Sequence, residues 1–494
     1  MLTAAIGIAV DGDQCAATAG CIPYEVFTYQ GVSEAAAAAL LGTAISTGKT
    51  STRVINAYVT GDTGWNIGNA DSIMVAAGWE HRTEAYERIS DTTFQQGALA
   101  GQGGPTTGIS GQYNVLEFFG EANIPLLQNV TGAQALNLDL AYRYSDYSTS
   151  GGTSTYRAGF DWQPIDLLRV RVGYNRAVRA PNVAELFAAQ SLGLWTGADP
   201  CSGASPIYTA AQCALTGVTA GQYGNIVASP AGQYNGLFGG NPNLDPEVAD
   251  TWTAGVVINP MDTMTISIDY WKIDIEDTIS NIGATTILEQ CGLFGALCDQ
   301  INRNPSTGDL WRGTAGFVAD TNINLGSNKW EGIDLAFNWS TDWAAGTWTT
   351  NMIGTYAMTK ETTPLADPDS AYDCKGLISV RCYPSPKWRH TLSVDYDSNE
   401  FWSAGIRWRY FEGVDYDGGT DQIAQKNMSK SQNYVDLNAV FRFMENHDIV
   451  VGVNNIFDKE PPMIGGTLSN NANTIAGFYD TLGRYLFAQA TFRF

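Results

Sequence analysis

The sequence predicts an all-β protein, an antiparallel transmembrane β-barrel, from three observations. Apolar and polar residues alternate over segments of about ten residues, which is the period of a strand with two different faces. Short connections alternate with long ones along the chain, as they do in membrane-spanning barrels. The 494 residues are 44 % hydrophobic and 11 % aromatic, yet the mean hydropathy is only −0.13, so the apolar residues are interleaved with polar ones.

Two segments show the alternation clearly. In 136–145, leucines and tyrosines occupy one face, and polar residues including Arg143 occupy the other. In 402–410, tryptophans and aliphatic residues occupy one face, and Arg407 and Arg409 occupy the other. A water-filled lumen tolerates arginines in the middle of strands, whereas the thin core between two sheets does not. The pattern therefore favours a barrel over a soluble sandwich.

We predict about fifteen strands from this pattern. They lie near 51–61, 71–83, 113–125, 134–146, 153–163, 166–178, 248–259, 262–276, 328–341, 346–358, 387–398, 400–413, 432–443, 446–455 and 484–494. The longest joins are predicted extracellular loops at 179–247, 277–327, 359–386, 414–431 and 459–483. Residues 1–50 then form a further extracellular loop region, and the barrel occupies 51–494.

An odd number of strands leaves the barrel open. In lipid, each unpaired amide or carbonyl group of a strand edge costs several kcal/mol, so such a sheet cannot stand alone. Either the chain is part of a larger barrel, or residues 22–29 supply a sixteenth strand. The second interpretation would make the protein a passive diffusion porin.

The eight cysteines fall into four local pairs within loop-like segments rich in Gly, Asp or Pro. The pairs are Cys15/Cys21, Cys201/Cys213, Cys291/Cys298 and Cys374/Cys382. Local pairs in loops predict disulfides and an oxidising compartment. Zinc binding or free thiols is the alternative, but the chain has only three histidines and no Cys-x-x-Cys motif. The three downstream pairs fall in long loops, and therefore at one end of the barrel.

Neither charge nor motifs indicate nucleic-acid binding or catalysis. A net charge of −23 would repel phosphates. Paired carboxylates such as Asp269/Asp274 have no histidine or nucleophile beside them in the sequence, so we predict no catalytic residues and no enzyme activity. The dispersed histidines and the lack of a phosphate-binding loop likewise predict no metal site and no cofactor.

Five motifs follow one another in a fixed order along the chain. They are Gly-x-Glu-x-Arg at 78–82; a strand leading into Arg179, Pro181, Asn182, Glu185 and Leu186; Asn-Pro-x-Leu-x-Pro-Glu at 241–247; a strand ending in Asn454, Asn455, Phe457 and Asp458; and a last strand ending at Phe494. Over roughly residues 50–494, this order resembles the barrel of TonB-dependent receptors, which are active importers of the Gram-negative outer membrane.

The resemblance implies a barrel of about 22 strands, of which the N-terminal strands, the plug domain and the TonB box are missing here. It places Met1 in an extracellular loop. It implies multi-pass insertion among outer-membrane lipids and uptake of a scarce solute, of the siderophore, cobalamin or oligosaccharide class. The energy would come from the TonB complex of the inner membrane through the missing plug, so we expect this chain alone to be incompetent for energised transport.

Candidate ligand contacts are aromatic residues of the long loops, because exposed aromatics stack on sugars and aromatic chelates. They are Trp195, Tyr208, Tyr223, Tyr234, Phe238, Trp311 and Phe317. The alternative is that they pack the loops against one another. For Arg179 and Glu185 we favour a structural ion pair over a ligand contact, since the resemblance makes that motif a feature of barrels with many substrates.

Overall fold

The computed structural model describes residues 3–100, 102, 105–365, 370–379, 381–417, 426–443, 447–464 and 473–493. Phe494, predicted above to end the last strand, lies outside this range, and the predicted loops 359–386, 414–431 and 459–483 are described only in part. In the described residues the strands are β1 (Ser46–Asn66), β2 (Ser72–Ser90), β3 (Ile109–Val130), β4 (Ala133–Tyr147), β5 (Gly151–Ile165), β6 (Leu168–Arg179), β7 (Ser191–Thr196), β8 (Gln233–Phe238), β9 (Glu247–Met261), β10 (Met264–Ser280), β11 (Ile301–Asn302), β12 (Phe317–Ala319), β13 (Ile323–Trp343), β14 (Gly346–Thr363), β15 (Tyr372–Asp373), β16 (Leu377–Ile378), β17 (Trp388–Asp397), β18 (Trp402–Phe411), β19 (Asp415–Tyr416), β20 (Gln432–Phe443), β21 (His447–Asn454) and β22 (Tyr485–Thr491).

Fifteen of these strands form one antiparallel meander, in the order β1-β2-β3-β4-β5-β6-β9-β10-β13-β14-β17-β18-β20-β21-β22, with β15 paired to β14. The prediction of an all-β protein with about fifteen antiparallel strands is therefore confirmed. The first three strands are longer than predicted, since the β1–β2 ladder runs without a break from Ser46↔Ser90 to Asp62↔Met74 and β3 extends from Ile109 to Val130.

The helices of the described residues are short and lie in connections. They are α1 (Thr3–Val10), α2 (Gly12–Ala17), α3 (Glu34–Leu40), α4 (Thr92–Gln95), α5 (Val183–Phe187), α6 (Ala210–Leu215) and α7 (Ala284–Glu289), with a π-helical turn at Gln290–Phe294 and a 3-10 turn at Cys298–Gln300. Within the described residues, no helix has the length and apolar character needed to cross a membrane, a result that does not bear on crossing by strands. All of residues 22–29 are described and none lies in a strand, so the sixteenth strand required by the porin interpretation is not formed there.

The meander has two unlike ends. At one, which we call the short-turn end, tight connections such as 131–132, 262–263 and 344–345 join neighbouring strands. Ala344 and Ala345 have φ angles of 53° and 61°, the left-handed conformation that a two-residue hairpin requires. At the other, the long-loop end, lie 91–108, 180–246, 281–322, 364–387, 412–431 and 455–484. Because β1 starts there, residues 1–45 are attached at the long-loop end as well.

The apolar face of the sheet carries two levels of aromatic rings. On three strands the levels are eight residues apart: Trp348 and Tyr356 on β14, Trp388 and Tyr396 on β17, and Trp402 and Tyr410 on β18. At the short-turn level, the ring centroid of Tyr396 lies 4.9 Å from that of Trp348 and 5.2 Å from that of Trp402. Eight residues span about 26 Å along a strand, or about 20 Å when the strand is tilted by about 40°. This spacing is typical of the aromatic girdles that border an apolar membrane band.

The polar face pairs its charges across strands. The guanidinium of Arg171 on β6 contacts the carboxylate of Asp269 on β10 at 2.7 Å, although β9 lies between the two strands. Gly255 of β9 is opposite both residues, and a Cβ there would collide with the Asp269 carboxylate. The missing side chain therefore lets the ion pair pass over the middle strand. On another part of this face, Arg143 pairs with the buried Glu117 at 3.2 Å.

The two faces predict opposite responses to a new charge at neighbouring positions of β20. Leu437 lies on the apolar face and Asn438 on the polar face, near the middle of the strand. For the native gene product in lipid vesicles, we expect Leu437→Arg to lower the free energy of unfolding by about 2–4 kcal/mol, and Asn438→Arg by less than about 1 kcal/mol. Denaturant titration followed by tryptophan fluorescence measures both. Equal losses for the two variants would contradict this assignment of the faces.

Candidate functional site

The segment that follows β6 folds back over the sheet as a capped helical turn. The Asn182 side chain accepts hydrogen bonds from the amides of Ala184 and Glu185 at 2.9 Å, and the Glu185 carboxylate accepts one from the Asn182 amide at 2.8 Å. This reciprocal capping box satisfies the free amides at the start of α5. Pro181 and Leu186 are buried, so the turn is fixed by packing as well.

Arg179 ties this turn to two further strands. Its Nε and Nη2 donate to the Glu247 carboxylate at 2.6 and 2.7 Å, and its Nη1 donates to Glu185 at 3.0 Å. Glu247 also accepts from the amide of Ile279 on β10 at 2.7 Å. From the sequence we predicted Glu185 as the partner of Arg179, but we did not predict Glu247. The antiparallel register places it directly opposite Arg179, and the strand-starting motif at 241–247 was the available signal.

The same turn reaches a distant strand. The Phe187 ring covers Gly111 of β3, where a Cβ would overlap the ring. Strands β3 and β6 are separated by two others in the sheet, so α5 spans the polar face at the long-loop end. We call the segment from Arg179 to Phe187 the brace.

Residues 180–246 and 281–322 form a compact structure of their own, which we call the loop unit. A four-stranded sheet in the order β11-β12-β8-β7 combines strands from both segments. Its hydrophobic core also draws on both, with Tyr234, Ala284, Ile287, Leu288, Cys291, Ile301, Leu310 and Val318 buried. These two long connections therefore fold together as a small domain at the long-loop end of the sheet.

A buried ion pair joins the two halves of the loop unit. Arg303 and Asp199 form a bidentate pair at 2.7 and 2.9 Å, with side-chain exposures of only 2 % and 1 %. Arg303 also donates to the carbonyl oxygens of Thr216 at 3.0 Å and Gly308 at 2.9 Å. The guanidinium thus has several partners in place of water, which is the condition for keeping a charge in a core. No sequence motif indicated this pair, which links residues 104 positions apart.

All four predicted disulfides are formed. They are Cys15–Cys21, Cys201–Cys213, Cys291–Cys298 and Cys374–Cys382. Two lie in the loop unit, one lies in 364–387 and one in the N-terminal region, so all four are at the long-loop end. Cys201 and Cys213 pack with Val218 and Ile226 in a small core of their own.

The predicted ligand-contact aromatics are partly or fully buried in the loop unit. Tyr234 is 3 % exposed, and its ring stacks on Trp195 at 5.0 Å between centroids. The indole nitrogens of Trp195 and Trp311 donate to the carbonyl oxygens of Asn235 and Val227. These three aromatics help to build the core of the loop unit.

The other four aromatics are half-buried. The Tyr223 hydroxyl donates to the carbonyl oxygen of Tyr208 at 3.0 Å, while Phe238 and Phe317 lie in the paired strands β8 and β12. The structure brings all seven into one folded unit. Their contact with a ligand stays a prediction.

The motif at the end of β21 turns the chain. Asn454 is the last residue of that strand, and the buried Asn455 exchanges hydrogen bonds of 2.8 and 2.9 Å with the backbone of Lys459. Asn455 and Asp458 both have positive φ, at 52° and 53°, a conformation that Asn and Asp tolerate. Phe457 is 74 % exposed. The geometry is that of a turn.

A second core joins three other loops at the same end. Ile378, Val414, Met428, Ile464 and Tyr479 are buried together, and β16 pairs in parallel with β19. Burial raises the pKa of the Tyr479 phenol. The loops at this end are therefore anchored to each other in two clusters.

Between the loop unit and the segment 364–387 lies a cavity of about 710 Å³, which we call the loop cleft. Its polar lining includes Asn281, Gln290, Asn328, Thr362, Tyr372 and Arg381. The Arg381 guanidinium lies 4.7 Å from the centre of the Tyr372 ring, and Asn328 accepts a hydrogen bond from Thr362 at 2.7 Å. Sequence reasoning missed the cleft, because its lining comes from separate segments with no shared motif.

Removing one partner of the buried pair should loosen the loop unit. We expect Asp199→Asn or Arg303→Met to destabilise it by about 3–5 kcal/mol, because the remaining partner is left buried without its counterpart. The double variant Asp199→Leu/Arg303→Met should recover much of this loss. Hydrogen exchange of the amides of β8 and β12 measures local stability, and protection in the single variants equal to that of the wild type would refute the role of the pair.

Breaking the brace should expose Phe187. We expect Arg179→Ala to release α5, because both Glu185 and Glu247 lose their cation, and chymotrypsin should then cleave after Phe187 at least several times faster. Arg169→Ala, which removes another exposed arginine of β6, is the matched control and should leave this cleavage rate unaltered. The brace would have to be discarded if Arg179→Ala behaved like the control.

Comparison with known proteins agrees with this architecture. No curated protein sequence matches the chain. One similar solved structure is the siderophore receptor PirA from Acinetobacter baumannii, with a TM-score of 0.55 and 16 % identity over 89 % of this chain and 54 % of that one. Another is a mutant of the ferric enterobactin receptor PfeA from Pseudomonas aeruginosa, with a TM-score of 0.55 and 15 % identity over 89 % of this chain and 53 % of that one. A third is a double mutant of the Serratia marcescens hemophore receptor HasR in complex with its hemophore HasA and heme, with a TM-score of 0.50 and 12 % identity over 83 % of this chain and 56 % of that one.

At these identities the structural similarity shows the fold alone, and the chain spans about half the length of each structure. The sequence itself carries the assignment further. Residues 24–456 match the family model described as TonB dependent receptor-like, beta-barrel, and this range includes most of the meander, the brace and the loop unit. The chain therefore belongs to the TonB-dependent receptor β-barrel family.

Proposed function

We propose that this chain is the barrel portion of a TonB-dependent importer that takes up a scarce solute across the Gram-negative outer membrane. One observation carries the proposal: an antiparallel meander with a girdled apolar face gathers its long, disulfide-bonded loops at a single end. Loops held in this way suit solute capture from the cell exterior. The long-loop end is then extracellular, and lipid surrounds the apolar face.

The direction of the outermost strands supports a barrel completed by further strands. Because fifteen strands alternate in direction, β1 and β22 run the same way, and direct closure would pair them in parallel. Their lengths, 21 and 7 residues, also differ. Antiparallel closure needs an odd number of additional strands, and seven of them give the 22 strands of outer-membrane transporters. This is the interpretation we favour over a sixteen-stranded porin.

In this proposal the solute crosses without chemical change, and the chain acts as a transporter and not as an enzyme. A plug domain fills the lumen against the polar face, and the TonB complex of the inner membrane pulls on it to open a path. The similar structures are receptors for siderophores and for a heme-carrying protein. For this chain we propose a small transported solute of the siderophore, cobalamin or oligosaccharide class.

Uptake by the native gene product should require TonB. In a strain that expresses the gene, uptake of one labelled solute from a panel of iron chelates, cobalamin and oligosaccharides should fall at least tenfold when the gene or tonB is deleted. Restoration by the gene on a plasmid is the positive control. Uptake that survives loss of TonB would favour passive diffusion, and restoration of energised uptake by these 494 residues alone would rule out the need for a plug.

A further inference from the structure

The loop unit, which forms one wall of the loop cleft, contains few cations. Segments 1–45, 91–108 and 180–246 contain no lysine or arginine. The two arginines of the loop unit are both engaged internally, Arg303 with Asp199 and Arg312 with Asp309 at 2.6 Å. The loop unit therefore presents no unpaired cation to a ligand.

Within the cleft the charges nearly cancel. Arg381 is its exposed cation, Glu289 is an exposed carboxylate, and Glu247 shares the cation of Arg179 with Glu185. Sites that hold anionic groups usually gather several arginines or lysines, because each contributes a charge-assisted hydrogen bond. A net charge of −23 adds to the repulsion of anions. A multiply anionic ligand thus finds little to hold it here.

What the cleft does offer is amides, hydroxyls and an aromatic ring. Asn281, Gln290 and Asn328 line it with side-chain amides, which combine donors with an acceptor. Part of this capacity is used internally, since the Asn281 amide donates to the carbonyl oxygen of Asp320 at 2.7 Å and the Thr362 hydroxyl donates to Asn328. Tyr372 provides an aromatic ring, one face of which is covered by the Arg381 guanidinium 4.7 Å away, which leaves the other face for a ligand. The volume of about 710 Å³ lies within the usual range for small-ligand sites.

We propose that the loop cleft is the recognition site for a neutral, hydroxyl-rich ligand, namely an uncharged oligosaccharide. Each sugar hydroxyl both donates and accepts, and therefore matches side-chain amides, while the apolar face of a sugar ring stacks on tyrosine. This inference rests on the proposed import function and narrows its substrate class. It assigns Tyr372 and Asn328 as specificity-determining contacts and Arg381 as the residue that positions Tyr372.

Calorimetric titration of the native gene product in detergent micelles tests the class of ligand. The probes are maltohexaose, cellohexaose, xylohexaose and chitohexaose, and the anionic comparison is ferric 2,3-dihydroxybenzoate. We expect at least one neutral hexasaccharide to bind and the ferric complex not to bind. Binding of the ferric complex without any hexasaccharide overturns the inference, as does binding of none of the probes. Neither result bears on TonB-dependent uptake, which the deletion experiment measures separately.

Variants locate the site. Tyr372→Ala should weaken binding of the hexasaccharide by about tenfold, the loss of an aromatic contact of roughly 1.4 kcal/mol. Tyr383→Ala, in the same loop but outside the cleft lining, is the matched control and should bind as the wild type does. Equal affinities of Tyr372→Ala and Tyr383→Ala place the binding elsewhere and contradict the proposal. On gels, each variant should migrate more slowly in a boiled sample than in an unboiled one, which confirms that the barrel was folded before boiling.

Variants of Arg381 distinguish a direct contact between its charge and the ligand from a role in positioning Tyr372. For a neutral sugar, Arg381→Gln should weaken binding no more than Tyr372→Ala does, because the arginine acts only through the position of the Tyr372 ring. An anionic ligand would instead lose at least tenfold more affinity in Arg381→Gln than in Tyr372→Ala, because the arginine would pair with it directly. That second pattern would overturn the assignment of a neutral ligand.

Discussion

The structure depends on the need to pair every backbone amide and carbonyl group where water is absent. An antiparallel ladder meets this need between neighbouring strands, and it fixes side chains alternately on two faces. The aromatic girdles on one face and the ion pairs on the other follow from that alternation. Even the crossing of Arg171 to Asp269 is an adjustment to the ladder, since it requires Gly255 on the strand between them.

The strands could be predicted from sequence because each is a local pattern of period two, and the disulfides because each pair is close in the chain. The loop unit could not, because contacts such as Arg303–Asp199 join residues far apart and leave no periodic trace. Aromatic residues in loops were predicted to face a ligand, yet Tyr234 is almost fully buried. Composition alone does not distinguish a tyrosine that supports a loop from one that meets a solute.

The long-loop end combines rigidity with a low density of cations. The brace joins β6, β9 and β10 to α5 and carries Phe187 onto β3, while the loop unit has a core and an internal ion pair. Such a scaffold fixes the wall of the loop cleft that the loop unit supplies. Preorganised walls reduce the entropy lost on binding, which suits the importer proposed above.

The cysteines of each disulfide are separated by only 6 to 12 positions. Pairs so close meet readily in an unfolded chain, since closing a short loop costs little entropy. Oxidation therefore does not have to wait for the strands to assemble, and the crosslinks can form while the polypeptide is still unfolded. No crosslink ties one loop to another, so none obstructs the zipping of strands during assembly.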